Sequence, residues 1–269
     1  MHRKPLGIVL GGGGARCFTH VGILEELTRS GIRPARIVGS STGSIIAALA
    51  GFGVPTNDIL REFLSPLTRA KWYMPNGFFT FSQQVVRDIL ARLIGPAARI
   101  EHAQIPLMIV ATDIRSGNMV VLERGNLADA VCASSCHPAI HKPVRMQGRE
   151  FADGGILDNV PADICRTAMG KRGIVFTSSL DSSMRSQGQC TGHFPFLFRS
   201  IYLPLLHARF ETAHTYSDLV SQPFRRQLFC FHNWSNIMSF GSSRGLRHFY
   251  ECGRREGKKM SVKLLRLLA

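Results

Sequence analysis

The sequence predicts an α/β protein built on a mostly parallel sheet covered on both faces. Short apolar runs alternate with stretches whose apolar residues recur at helical spacing, the pattern of strand-helix-strand units. Glycine-rich turns punctuate them at Gly11 to Gly14, at Gly39-Ser40-Ser41-Thr42-Gly43 and at Asp153-Gly154-Gly155. With 269 residues and 45% apolar content, the chain can also bury a sizeable core.

Leu6 to Leu10 reads as a buried strand running into the four glycines. Phe18, Val21, Ile23, Leu24 and Leu27 then mark a helix that Ser30-Gly31 closes. Arg36-Ile37-Val38 is a second strand, and Ser44 to Phe52 is a buried helix beginning just beyond Gly43. Amphipathic helices follow at Asn57 to Leu64 and Ser82 to Leu93. Pro106 to Thr112 and Met119 to Leu122 read as strands, and Leu127 to Cys136 as a helix. Phe151-Ala152 ends a strand at the Asp-Gly-Gly turn, and Ile174 to Thr177 is the last core strand expected. Beyond Asp181 the pattern weakens, which divides the chain into a core over 6–180 and a C-terminal helical extension over 181–269. The extension closes on a basic segment, Gly253 to Ala269, that is either an amphipathic helix for a membrane surface or a solvated tail.

Composition narrows the function classes. Thirty-three Lys and Arg against 18 Asp and Glu, a net charge of +15, predict attraction to polyanionic surfaces, lipid headgroups or nucleic acid. The basic residues are dispersed without a recognition module, so nucleic acid is the weaker reading. The seven cysteines form neither a disulfide framework nor a zinc-ligand spacing, which favours reduced thiols in a cytoplasmic protein. The N-terminal apolar run is too short for a signal peptide. The nearest approach to a spanning segment, Phe194 to Phe210, is broken by Arg199, His207 and prolines. A soluble protein, peripheral to a membrane at most, is expected.

The three glycine motifs carry the chemistry. A serine on a tight strand-to-helix turn needs small neighbours, and Ser41 in Gly-x-Ser-x-Gly fits such a nucleophile; alone, the motif fits a small-residue packing turn as well. Gly12, Gly13 and Gly14 bring backbone N–H groups close to a ligand, as an oxyanion site requires. Phosphate binding is disfavoured, because neither Gly-Lys-Ser/Thr nor the third glycine of a dinucleotide fingerprint is present. None of the ten histidines sits in a motif that marks it as a base, His20, His137 and His141 included. Asp153, before two glycines, is the better proton acceptor. A carboxylate is a weak base, so such a site leans on orientation and oxyanion stabilisation.

In order along the chain, VLGGGGAR, GSSTGS and FADGGILDNVPA resemble the patatin-like phospholipase family in its bacterial, single-catalytic-domain form. His20-Val21-Gly22-Ile23-Leu24, Ala111-Thr112-Asp113 and Ala133-Ser134-Ser135 with Pro138 extend the resemblance, which covers about Leu6 to Thr177. It implies a three-layer α/β/α fold and a Ser41–Asp153 dyad without histidine, acting on phospholipid or other acyl esters without metal or cofactor. Arg16 matches the family's basic position in the oxyanion loop. Three positions depart from the pattern: Cys17 replaces the loop's last glycine, Thr42 is polar, and His137 stands where an apolar residue is common. The expected function is a serine lipid acyl hydrolase in peripheral contact with anionic membrane. The alternative is a weakly active or inactive lipid-binding protein, motivated by Cys17, whose position would distort the loop if only glycine were tolerated there.

Overall fold

The computed structural model describes residues 4–66, 68, 82–138, 141–180, 212–224 and 242–269. Strand β1 (Leu6–Leu10) leads through the glycines into α1 (Phe18–Arg29), and β2 (Arg36–Ser40) leads through Ser41 into α2 (Thr42–Gly51). After α3 (Thr56–Leu64) and α4 (Gln83–Leu93) come β3 (Leu107–Asp113), β4 (Asn118–Leu122), α5 (Leu127–Ser134), β5 (Val144–Met146) and β6 (Arg149–Asp153). The rest is α6 (Ala162–Met169), β7 (Ile174–Ser178), β8 (Leu219–Ser221) and the long α7 (Ser243–Leu268). Side-chain caps start several helices: Ser82 accepts from Val85 N, Asn126 from Asp129 N and Ser242 from Gly245 N.

All eight strands form one sheet, ordered β5-β6-β3-β2-β1-β7-β8 with β4 also on β3. Pairing is parallel from β3 through β2, β1 and β7 to β8, and antiparallel where β3 meets β4 and β6 and where β5 meets β6. Strand residues alternate between two cores. Ile8, Ile37, Ile109 and Phe176 point to the larger one with α1, α2, α5 and α7, while Val9, Val38, Val110 and Val175 meet Cys165 of α6 on the other face. The fold is therefore the three-layer α/β/α arrangement.

Strand β3 sets up the site. Ile109 and Val110 pair both with β2 (Gly39, Ser40) and with β4 (Leu122, Val121), so those strands hold opposite edges of β3. From Ala111 onward β3 pairs with β4 and with β6. Strand β6 consequently continues the edge that β2 has vacated. The two run in opposite directions and end at adjacent rungs, Ser40 beside Val110 and Asp153 beside Ala111.

Several boundaries differ from expectation. Helix α2 starts at Thr42 rather than Ser44, because Ser41 itself makes the turn. The hairpin β5–β6 escapes the sequence pattern; Gln147 and Gly148, both at positive φ (51° and 72°), form the primed two-residue turn that suits twisted strands. Strand β7 is not the last, since β8 pairs with it in parallel.

Residues beyond the boundary expected at 181 thus add β8 to the sheet, and they add α7 to the core. The basic C-terminal segment is helical, and its apolar side, Leu246, Phe249, Met260, Leu264 and Leu268, is buried rather than offered to a membrane. Helices α1 and α7 touch backbone to backbone: a Cβ on Gly253 would lie 2.1 Å from Thr19 O, and one on Gly22 would lie 2.2 Å from Tyr250 O. Arg254 adds an ion pair to Glu26 at 2.7 Å. The aromatic stretch Phe194 to Phe210 lies outside the described residues. Among the described residues no helix is long and apolar enough to cross a membrane.

Candidate active site

Ser41 occupies the corner between β2 and α2 with φ 52° and ψ −136°, a conformation rare for a residue with a side chain. The corner is possible because its neighbours are small. A Cβ on Gly43 would sit 2.2 Å from Leu10 O, so α2 packs against the end of β1 only with glycine there. The strained turn is then pinned by hydrogen bonds. Ser41 N–H donates to Ser134 Oγ at 3.0 Å, and Ser41 O accepts from the Ser44 hydroxyl at 2.6 Å and from Ser44 N–H at 2.9 Å.

The Ser41 hydroxyl donates to Asp153 Oδ2 at 2.7 Å. The second carboxylate oxygen, Oδ1, accepts Gly155 N–H at 2.7 Å, which fixes the carboxylate's orientation. Its backbone is fixed too: Asp153 N–H donates to Cys136 O at 3.0 Å, and Thr112 Oγ1 donates to Asp153 O at 2.9 Å. Asp153 is 3% exposed, so this hydrogen bond operates largely out of water, where it is electrostatically stronger.

The glycine loop lies against the serine. A Cβ on Gly12 would stand 2.5 Å from Ser41 Cβ and 3.1 Å from its Oγ, so a side chain there would displace the hydroxyl. The three glycine N–H groups differ in their engagement. Gly12 N–H donates to Asn159 O at 3.2 Å, whereas Gly13 N–H donates to the Thr42 hydroxyl at 3.1 Å. Gly14 opens a 3-10 turn (Gly14–Cys17), where the N–H has no acceptor within the turn. Helix α2 adds its first-turn N–H groups and the positive end of its dipole just beyond Ser41. Arg16 sits behind the loop, with Nε on Gly13 O at 3.4 Å and its guanidinium 5.8 Å from the Phe224 ring centroid.

Cys17 adopts φ −56° and ψ −20°, ordinary helical values open to any residue. The last glycine of the family's loop is therefore not required here for its conformation. Burial pushes the Cys17 thiol up to about 12, opposed in part by a hydrogen bond from Thr42. Burial likewise raises Cys132 and Cys136 to about 11. Raised in this way, these buried thiols are poor nucleophiles.

His20 is buried and lowered to about 4 by desolvation, hence neutral. Its Nε2 lies 2.8 Å from Gly11 O, so Nε2 carries the proton and Nδ1 accepts from the Ser178 hydroxyl at 3.0 Å. It props the glycine loop from below.

Two supporting residues escaped the motif reading. Asn159 is 7% exposed and ties the segment after the Asp-Gly-Gly turn to the glycine loop: its O accepts Gly12 N–H and its Nδ2 donates to Gly12 O at 3.1 Å. Ser134 anchors the Ser41 amide. The resemblance flagged the segments holding both, but not their roles. Among the described residues no group of three or more His, Cys, Asp and Glu side chains is placed to hold a metal ion.

This serine corner, glycine loop and aspartate turn on a three-layer α/β/α sheet define the patatin class of fold. The family model for patatin-like phospholipase matches residues 8–166, more than half of the chain, and the chain belongs to that family. An uncharacterized NTE family protein of Mycobacterium bovis is 32% identical over 167 residues, 60% of this chain and 28% of that protein. Patatin-like phospholipase domain-containing protein 6 of Mus musculus is 30% identical over 186 residues, 64% of this chain and 13% of that protein. This chain thus spans well under half of these curated relatives. Among solved structures, VipD from Legionella pneumophila aligns with 95% of this chain and 67% of its own at TM-score 0.49 and 13% identity.

Proposed function

We propose that the protein is a serine lipid acyl hydrolase working through a Ser41–Asp153 dyad. The observation that carries this reading is the 2.7 Å hydrogen bond from a serine at φ 52° to a buried carboxylate. Ser41 Oγ attacks the ester carbonyl while its proton passes to Asp153 Oδ2. The carbonyl oxygen becomes an oxyanion facing the glycine loop. Gly13 and Gly14 are the better donors, because Gly12 N–H is held by a backbone carbonyl, whereas the Thr42 hydroxyl on Gly13 can rotate away. Arg16, on the Gly13 carbonyl, supports the loop from behind. Collapse of the intermediate expels the alcohol, which takes the proton from Asp153. Water then attacks the acyl-enzyme, giving its proton to Asp153, and Ser41 recovers that proton as the fatty acid leaves. Such donors are worth about 3 kcal/mol each in acyl-transfer sites, which compensates for a weakly basic aspartate.

Family membership supports acyl lipids as substrates, and the net charge of +15 supports peripheral contact with an anionic membrane. The reading of an inactive binding protein loses its motive, since Cys17 sits in a relaxed helical conformation. The deciding experiment pairs two measurements on purified protein. A fluorophosphonate probe should label Ser41 and not Ser41→Ala, and phospholipid incubated with the parent should release free fatty acid that the variant does not. An unlabelled parent without acyl release overturns the reading.

A further inference from the structure

Helix α7 is amphipathic, and the core already accounts for one side of it. Leu246, Phe249, Met260, Leu264 and Leu268 are buried against the body of the protein. The opposite side exposes Arg244, Arg247, Arg255, Lys258, Lys263 and Arg266, with Glu251 as the exposed carboxylate among them. Lys259 joins this row and reaches Glu256 at 3.7 Å, the ion pair of this face among the described residues. Several surface arginines elsewhere among the described residues are paired with carboxylates, as in Arg87–Asp129 at 2.7 Å, Arg145–Glu150 at 2.8 Å and Arg99–Glu101 at 2.9 Å. The exposed cationic charge of α7 thus lies along one side of the helix, a ridge of about 33 Å from Arg244 to Arg266 at 1.5 Å per helical residue.

The ridge also reaches the catalytic end of the sheet. Gly253 lies over Thr19 and Gly257 over Ile23, so α7 runs in the same direction as α1 and its first turns project beyond the start of α1. Arg244 and Arg247 belong to that overhang. Phe249 packs edge-on to Phe224 at 5.8 Å, and Phe224 carries Arg16 of the glycine loop.

We propose that the outward face of α7 docks the protein on an anionic lipid bilayer by electrostatics alone, with the catalytic end of the sheet brought to the headgroups. Helix α7 itself does not insert, because its apolar side is spent in the core and its exposed large apolar residues are Val262 and Leu265. A bilayer fits better than nucleic acid: the ridge lies flush along the body instead of standing out to enter a groove, and it presents no Phe, Tyr or Trp platform for bases. The proposal deepens the lipid hydrolase reading by naming the surface that meets the substrate's membrane.

The test uses the full chain and unilamellar vesicles of phosphatidylcholine with or without phosphatidylglycerol. The parent should sediment with the anionic vesicles alone, and less so as salt rises. Lys258→Glu/Lys259→Glu/Lys263→Glu should weaken that binding by at least about tenfold. Lys171→Glu/Arg172→Glu, which removes exposed charge after α6, should leave it within about twofold. A lysine-to-glutamine version of the triple variant, checked by circular dichroism, reproduces the loss without charge reversal. Equal losses in the ridge and control variants, binding indifferent to phosphatidylglycerol, or displacement of the vesicles by duplex DNA at matched charge would overturn it. Fluorophosphonate labelling of Ser41 is read in parallel, so a failure of catalysis and a failure of docking register separately.

Discussion

Ser41 Oγ and Asp153 Oδ2 lie 2.7 Å apart because two strands of opposite direction end at neighbouring rungs on one edge of β3. The proposed dyad is set by sheet register rather than by a flexible loop, and the bond from Gly155 N–H to Oδ1 leaves Oδ2 facing the serine. Asp153→Asn keeps the size of the side chain and removes its ability to take the proton. It should lower kcat by about 10²–10⁴-fold with little change in KM, measured on a soluble ester, while thermal unfolding moves little. A variant retaining more than about a tenth of parental kcat would exclude Asp153 as the base.

Asn159 ties the glycine loop to the aspartate turn through two contacts with Gly12, one from its backbone and one from its side chain. Asn159→Asp exchanges the donor Nδ2 for an oxygen facing Gly12 O, replacing attraction with repulsion. It should reduce kcat by about tenfold or more with KM less affected, since the loop's aim matters most in the transition state. Asn159→Ala, which loses the bond without adding repulsion, should fall between that variant and the parent.

These two cases mark how far the sequence could be read. The strand-turn-helix units around Ser41 and the Asp-Gly-Gly turn were legible because glycines and apolar periodicity are local signals. Asn159 and Ser134 act through partners far away in the chain, and no local pattern encodes which carbonyl a side chain will meet. Strand β8 has three residues, too few for an alternation to register, and it exists because β7 offers it an edge. Helix α7 was legible as basic and amphipathic. Its destination was not, since amphipathicity reports that an apolar face must be covered and not what covers it.

Against the family pattern, Cys17 is the departure that would weaken the loop if only glycine fitted there. Its helical φ of −56° and complete burial predict the reverse for Cys17→Gly. Restoring glycine adds backbone freedom to the unfolded state, about 0.5–1 kcal/mol, and leaves a small cavity. The variant should unfold at a lower temperature, by a few degrees, without a gain in kcat. A clear increase in kcat would show that the thiol holds the loop away from its productive conformation.

Helix α7 is held at backbone distance from α1, and this reverses a usual expectation. Gly253→Ala in an isolated helix would stabilise it by about 1 kcal/mol. Here the new methyl would lie 2.1 Å from Thr19 O, a backbone atom that cannot rotate aside. The helices must separate, and overpacking of this kind costs about 1–3 kcal/mol. Urea unfolding of Gly253→Ala should therefore show lower stability than the parent; an unchanged or higher midpoint would mean that the two helices slide freely.

His20 predicts an acid-side loss of stability. Its ordinary value of 6.5 falls to about 4 in the folded protein because burial penalises the imidazolium. Between those values the unfolded chain binds a proton that the native state refuses, so the unfolded state is favoured as pH drops. The neutral ring's contribution is complete above about 6.5, declines through that interval, and is lost once pH has fallen to about 4, a total on the order of 3 kcal/mol. The same ring holds Gly11 O at the foot of the glycine loop, so the loop should loosen over the same range. Urea unfolding at successive pH values tests this against His20→Gln, which retains an amide donor for Gly11 O but does not titrate. The parent should lose stability more steeply than the variant between pH 6.5 and 4, by up to about 1.4 kcal/mol per pH unit, the slope of one proton. Identical slopes in the two proteins would show that His20 is not the group being titrated.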